Sequence, residues 1–179
     1  MSTVLLNVVL SYPHLFKPQP PMKMAAPDSV PKYGARLRLQ NLEQIDQVNA
    51  AIQEALVERF PTKVPPAFSG ERLCLRQDPA DKTWFVATSN AEQPGLRFRG
   101  NKEPVTLESP KEIRDKFYPG AIVNAAVRIW VQDNDYGKRV NASLEGIQWV
   151  KDGDRIGHAP VDLDEAFPEL PPEDTDLPF

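Results

Sequence analysis

Residues 118–157, YPGAIVNAAVRIWVQDNDYGKRVNASLEGIQWVKDGDRIG, constrain the fold more than any other stretch. Ala121, Val123, Ala125, Val127, Ile129 and Val131 fall on one face of an extended chain. Ile122, Asn124, Ala126, Arg128, Trp130 and Gln132 fall on the other. Alternation with period two, sustained this long, predicts a strand. Asn134-Asp135-Tyr136-Gly137 supplies turn residues that tolerate positive φ. Val140–Val150 runs back with Val140, Ala142 and Leu144 in phase, and Gly146 inside that run predicts a bulge. A long hairpin with one apolar face needs a partner sheet to cover that face.

The rest of the chain supplies such partners. Thr3–Phe16 reads as a strand whose Pro13 places its end at a sheet edge. Pro18, Pro20, Pro21, Pro27 and Pro31 make 17–32 a loop. Tyr33–Gln40 reads as a second strand, with Tyr33, Ala35, Leu37 and Leu39 on one face and Arg36 and Arg38 side by side on the other. Asn41–Phe60 is a helix: Asn41 caps it, Ile45, Val48, Ile52, Ala55 and Leu56 form its stripe, and Pro61 stops it. Arg72–Arg76 and Thr83–Ser89 read as a hairpin, in which either Trp84 or Phe85 must face away from the core. Pro104–Leu107 reads as a short strand and Ser109–Phe117 as one or two helical turns. Nineteen prolines, about twice the usual share, argue against a helical bundle.

Charge divides the chain in two. Residues 161–179 carry seven acids and no Lys or Arg, which leaves eighteen acidic against 21 basic side chains in the body, a balance of +3. The expected organisation is one domain over 1–160 and a disordered acidic tail over 161–179. With no leader-like segment, no apolar run of membrane-spanning length and only Cys74, a soluble cytoplasmic protein without disulfides is expected. Cys74 lies between two leucines and reads as a buried strand residue.

The chemistry that is missing narrows the function. There is no glycine-rich phosphate loop, no GxSxG and no CxxC, and His14 and His158 are the only histidines. No catalytic residue, metal or cofactor is therefore expected. The positive signal is cations interleaved with rings on a β framework. Cations track phosphates while aromatics stack on bases in single-stranded nucleic-acid binding. On this pattern Arg36, Arg38, Arg97, Arg99, Arg128, Lys138 and Arg139 are the phosphate-contacting candidates, and Tyr33, Trp84, Phe98, Trp130 and Tyr136 the stacking candidates. Any one of these rings can instead be core; the set, with arginines bracketing Phe98, favours binding. The tail end Glu173, Asp174, Asp176, Leu177, Pro178 and Phe179 can mimic a polyanion or enter a pocket on a partner protein.

Three segments, SYPHLFKP, KYGARLRL and the hairpin with its KDGDR turn, resemble a family of bacteriophage single-stranded DNA-binding proteins, over roughly residues 5–157. The tail EDTDLPF resembles the acidic tip of bacterial single-stranded DNA-binding proteins, which recruits replication enzymes. The resemblance implies a mainly β fold: an oligonucleotide-binding (OB-fold-like) five-stranded barrel with a long coiled hairpin and one inserted α-helix. It also implies a role in phage DNA replication, recombination or repair, with replication or recombination proteins as partners of the tail. The usual OB helix lies between strands three and four, whereas the long helix here follows the second, so either the helix is an insertion or the strand count shifts. Two other readings stand beside it: an adaptor or inhibitor that displays an acidic tail, and a metal-dependent nuclease using Asp133, Asp135, Asp152 and Asp154. Self-association is left open by the sequence.

Overall fold

The structure, a computed structural model, describes residues 2–21, 30–100, 102–135 and 137–156. Seven strands form one sheet: β1 (Ser2–Gln19), β2 (Lys32–Arg38), β3 (Leu75–Gln77), β4 (Trp84–Ala87), β5 (Gly95–Phe98), β6 (Ile122–Asn134) and β7 (Gly137–Lys151). Their spatial order is β3-β4-β2-β1-β6-β7-β5. Helix α1 (Leu42–Arg59) follows β2, and a single turn, α2 (Lys111–Arg114), precedes β6.

The five strands expected of a barrel are present, with two short ones added. β1 pairs with β2 and β6, β2 with β4, and β6 with β7. The ring closes where the chain leaves β4: Ser89 N donates to Ala142 O of β7 (3.0 Å), and Leu144 N donates to Asn90 Oδ1 (3.0 Å). β3 and β5 are appended to β4 and β7. Among the ring strands β1, β2, β4, β6 and β7, α1 falls between the second and third, so it is the insertion. The turn α2 falls between the third and fourth, where the usual OB helix sits.

The central hairpin forms as its alternation dictates. Ala121, just before β6, and Val123, Ala125 and Val127 on it are buried, as are Val140, Ala142 and Leu144 on β7. The expected bulge is at Glu145: Ala126 pairs with Gly146, but Val127 pairs with Leu144. The extra residue shifts the phase, so the next buried side chain is Ile147. Pro13 sits in the part of β1 that pairs only with β2, inside a register shift between Ser11 and His14. The sequence places some boundaries differently. β1 continues to Gln19, residues 70–72 form a 3₁₀ turn before β3 begins at Leu75, and Pro104 makes only an isolated bridge to Arg97.

Helix α1 seals both the barrel and an edge. Asn41 Oδ1 accepts from Gln44 N (2.9 Å), and Val48, Ile52 and Leu56 are buried. Residues 2–8 of β1 pair with β6 on one side only; on the other side three glutamines meet their carbonyls. Gln47 Nε2 donates to Val4 O (2.8 Å), Gln44 Nε2 to Leu6 O (2.6 Å), and Gln40 Nε2 to Asn7 O. Gln44, itself buried, also accepts from Gln40 N (2.6 Å). Asn7 sits at a bulge with φ 56°, a conformation asparagine tolerates.

Cys74 is buried as expected but lies just before β3 and not within it, and burial raises its thiol pKa to about 11. No described helix is long and apolar enough to cross a membrane. The tail expected over 161–179 lies outside the described residues.

Candidate nucleic-acid interface

Strand register assembles the site. Leu37, Val86 and Leu75 are aligned across β2, β4 and β3 and point into the core. Their neighbours therefore point outward: Arg36 opposite Ala87, with Phe85 between Arg38 and Arg76. The Arg36 guanidinium lies 4.8 Å from the Phe85 ring centroid and 4.9 Å from that of Tyr12, and Arg76 lies 5.7 Å from Phe85. The result is a run of rings and cations, Tyr12, Arg36, Phe85 and Arg76, in which Phe85 is buried beneath the two arginines. Tyr12 has φ 45° and is 64% exposed, so the irregular backbone of β1 turns this ring outward instead of into the sheet.

The facing wall comes from the hairpin. Trp130, 39% exposed, donates through Nε1 to Ser143 Oγ (3.1 Å), and Asn141 Nδ2 donates to Gln132 Oε1 (2.8 Å). Between the two walls runs a groove of about 630 Å³. Its described lining holds the cations Lys32, Arg36, Arg72, Arg76 and Arg139, the rings Tyr12, Tyr33 and Trp130, and one acid, Glu71. Low-dielectric walls carrying one sign of charge concentrate an anionic ligand.

The sequence candidates divide by position. Tyr33, Arg36, Trp130 and Arg139 line the groove together. Arg38 shares the face of Arg36 but is ion-paired with Asp81 and hydrogen-bonded to Thr83 Oγ1 (3.0 Å). Hydrogen bonds from Thr83, and then from Arg38, hold the Asp81 carboxyl below its ordinary range. Trp84 is in phase with Val86 and packs on the core, so Phe85 is the ring that faces out. Arg128 lies 3.9 Å from Glu145, and Lys138 lies 3.6 Å from Asp133. Arg97 and Phe98 stand on β5 and Arg99 just after it, at the opposite end of the strand order from β3. There Phe98 stacks on Trp149, with centroids 4.5 Å apart and planes at 8°. Arg97 and Arg99 donate to the carbonyls of Leu96 and Val150. Tyr136 lies outside the described residues.

Tyr12, Arg72 and Arg76 also line the groove and were not among the sequence candidates. The setting of Arg76, and the choice between Trp84 and Phe85, become visible only once Val86 and Leu75 are known to be the buried partners, which requires the register. The four aspartates of the nuclease reading do not converge. Asp133 pairs with Lys138 and Arg59, Asp152 pairs with Lys116, and no cluster of three or more potential metal ligands exists among the described residues.

A closed barrel flanked by a cationic, ring-lined groove defines a polyanion-binding protein of the oligonucleotide-binding architecture. The chain belongs to the family described as the Enterobacter phage Enc34 single-stranded DNA-binding protein, whose profile matches residues 1–177. Its fold is similar to that of the single-stranded DNA-binding protein from bacteriophage Enc34: TM-score 0.68, 26% identity, 93% of this chain and 89% of the other covered. The same phage protein in complex with single-stranded DNA matches with TM-score 0.66 and 26% identity, over 87% of this chain and 89% of the other. Protein p50 of Acyrthosiphon pisum secondary endosymbiont phage 1 is 28% identical over 187 residues, covering 95% of this chain and 94% of its own. This is a family of phage binding proteins, not of enzymes.

Proposed function

We propose that this protein binds single-stranded DNA in the groove between the outer face of β2, β3 and β4 and the β6–β7 hairpin. The observation that carries the reading is the gathering of Tyr12, Arg36 and Arg76 opposite Trp130 and Arg139, with the two arginines of the first wall held over the buried ring of Phe85. Guanidiniums beside exposed rings suit a strand whose phosphates alternate with bases, and stacking makes no distinction between base types. Membership of a phage single-stranded DNA-binding family supports the same conclusion.

The test is a titration with oligo-dT. Trp84 and Trp149 are packed against the core, whereas Trp130 lines the groove. Oligo-dT should quench tryptophan fluorescence, and Trp130→Phe should remove most of that quenching. Affinity should fall with salt, with a log–log slope of about −0.7 per phosphate engaged. No binding at low salt would reject the groove as a DNA site.

The acidic tail completes the proposal. Glu173, Asp174 and Asp176 with the terminal Leu177, Pro178 and Phe179 compete with DNA for the groove and serve as a handle for replication or recombination proteins in the host cytoplasm. Deleting 161–179 removes seven acids and leaves a body of net charge +3, so oligo-dT affinity should rise several-fold at low salt. Equal or weaker binding by the truncated chain would count against competition.

A further inference from the structure

Arg76 is placed at odds with the usual treatment of a cation. It is half-buried on β3, and its Nε is buried without a hydrogen-bond partner. Arg36 and Arg139 are near enough to repel it, and the groove beside all three has Glu71 as its one described acid. Among the described residues none of these three arginines makes an ion pair. A donor withdrawn from water without a partner destabilises the fold. Among the described residues the Phe85 ring flanks the guanidinium, and Glu71 is the acid that attracts it.

We propose that Arg36, Arg76 and Arg139 form a fixed seat for one phosphate, anchored by Arg76, and that the fold carries this seat at the expense of its own stability. The inference rests on the groove being the DNA site and adds a position within it. A phosphodiester or a free tetrahedral oxyanion suits the three guanidiniums, whose fixed charge and planar array of terminal nitrogens match the oxygens of such a group. The empty seat is strained electrostatically: burial first, then Arg36 and Arg139, push the Arg76 pKa below the ordinary arginine value. Filling the seat relieves the repulsion among the three arginines.

Function and stability should therefore move in opposite directions at this residue. Arg76→Leu should raise the melting temperature of the free protein by a few degrees while weakening oligo-dT binding about tenfold or more. Sodium sulfate should stabilise the wild type more than sodium chloride at matched ionic strength, and Arg76→Leu should lose that excess. Arg76→Lys keeps the charge but not the fork, and should also lose the sulfate effect. If the wild type binds oligo-dT and Arg76→Leu binds it equally well, the seat is wrong and the groove stands. If Arg76→Lys keeps the sulfate effect and full affinity, the seat is wrong as drawn. A wild type that ignores oligo-dT but shows the Arg76-dependent sulfate effect would keep the anion seat and reject the DNA groove.

Discussion

The double variant Arg36→Ala, Trp130→Ala should lose about a thousandfold in oligo-dT affinity while remaining folded. Arg36 is the hub of one wall: its guanidinium contacts two rings, and its side chain is exposed at the groove. A charged hydrogen bond to phosphate contributes roughly 1.5–3 kcal/mol. Trp130 stands on the facing wall, and a stacked base contributes about 1–3 kcal/mol. With the two residues on different walls the losses should add to roughly 4 kcal/mol, or about three decades in the dissociation constant. Each single change should cost about ten- to a hundredfold, and Arg36→Ala should also reduce the salt slope by about 0.7. Fluorescence anisotropy of labelled oligo-dT, with circular dichroism to verify folding, measures all of this. Near-wild-type affinity of the folded double variant would remove the groove from the binding mechanism.

Gly120→Ala should be the most damaging single substitution to the fold. Gly120 has φ +113°, and a Cβ there would overlap the Asp154 carbonyl oxygen. The surrounding contact is backbone against backbone. Gly120 N donates to Leu10 O (2.8 Å), Ile156 N to Pro119 O (2.9 Å), and a Cβ on Gly153 would in turn overlap Gly120 O. Tyr118 holds the same junction by accepting from Gly153 N (2.9 Å) and donating to Gly153 O (2.7 Å). Strain of about 1–3 kcal/mol plus the clash gives a loss on the order of 4 kcal/mol. A domain of this size has only about 5–15 kcal/mol in total. The melting temperature should fall by roughly 10 °C or more, or the chain should fail to accumulate in soluble form. Gly100→Ala is the control: φ is +75° with nothing within 4 Å, so only the conformational cost of about 1–2 kcal/mol applies. Equal melting temperatures for the two variants would show that the junction at Asp154 gives way.

These two experiments also mark what could be read from the chain and what could not. The hairpin, the helix and its Asn41 cap, and the bulge before Gly146 were legible because each is encoded by neighbours in sequence. Arg36 and Trp130 were legible as outward-facing residues of clearly periodic strands. Arg76, and the choice between Trp84 and Phe85, were not, because in strands of four and three residues the face is set by the partner: Val86 against Leu37 and Leu75. The Arg97-Phe98-Arg99 run shows the converse. It has the composition of a binding loop, but its parallel pairing with β7 sets Phe98 opposite Trp149, and the ring is used in packing. Closure of the barrel at Ser89 and Ala142 joins residues far apart in the chain and leaves no local mark.

The three glutamines along β1 bear on how many copies can share one ligand. Molecules lined up on a long polymer are held at local concentrations at which a bare row of carbonyls would invite sheet-to-sheet fusion. With Val4, Leu6 and Asn7 already engaged by Gln47, Gln44 and Gln40, that row cannot serve as a template, and crowding need not end in precipitation.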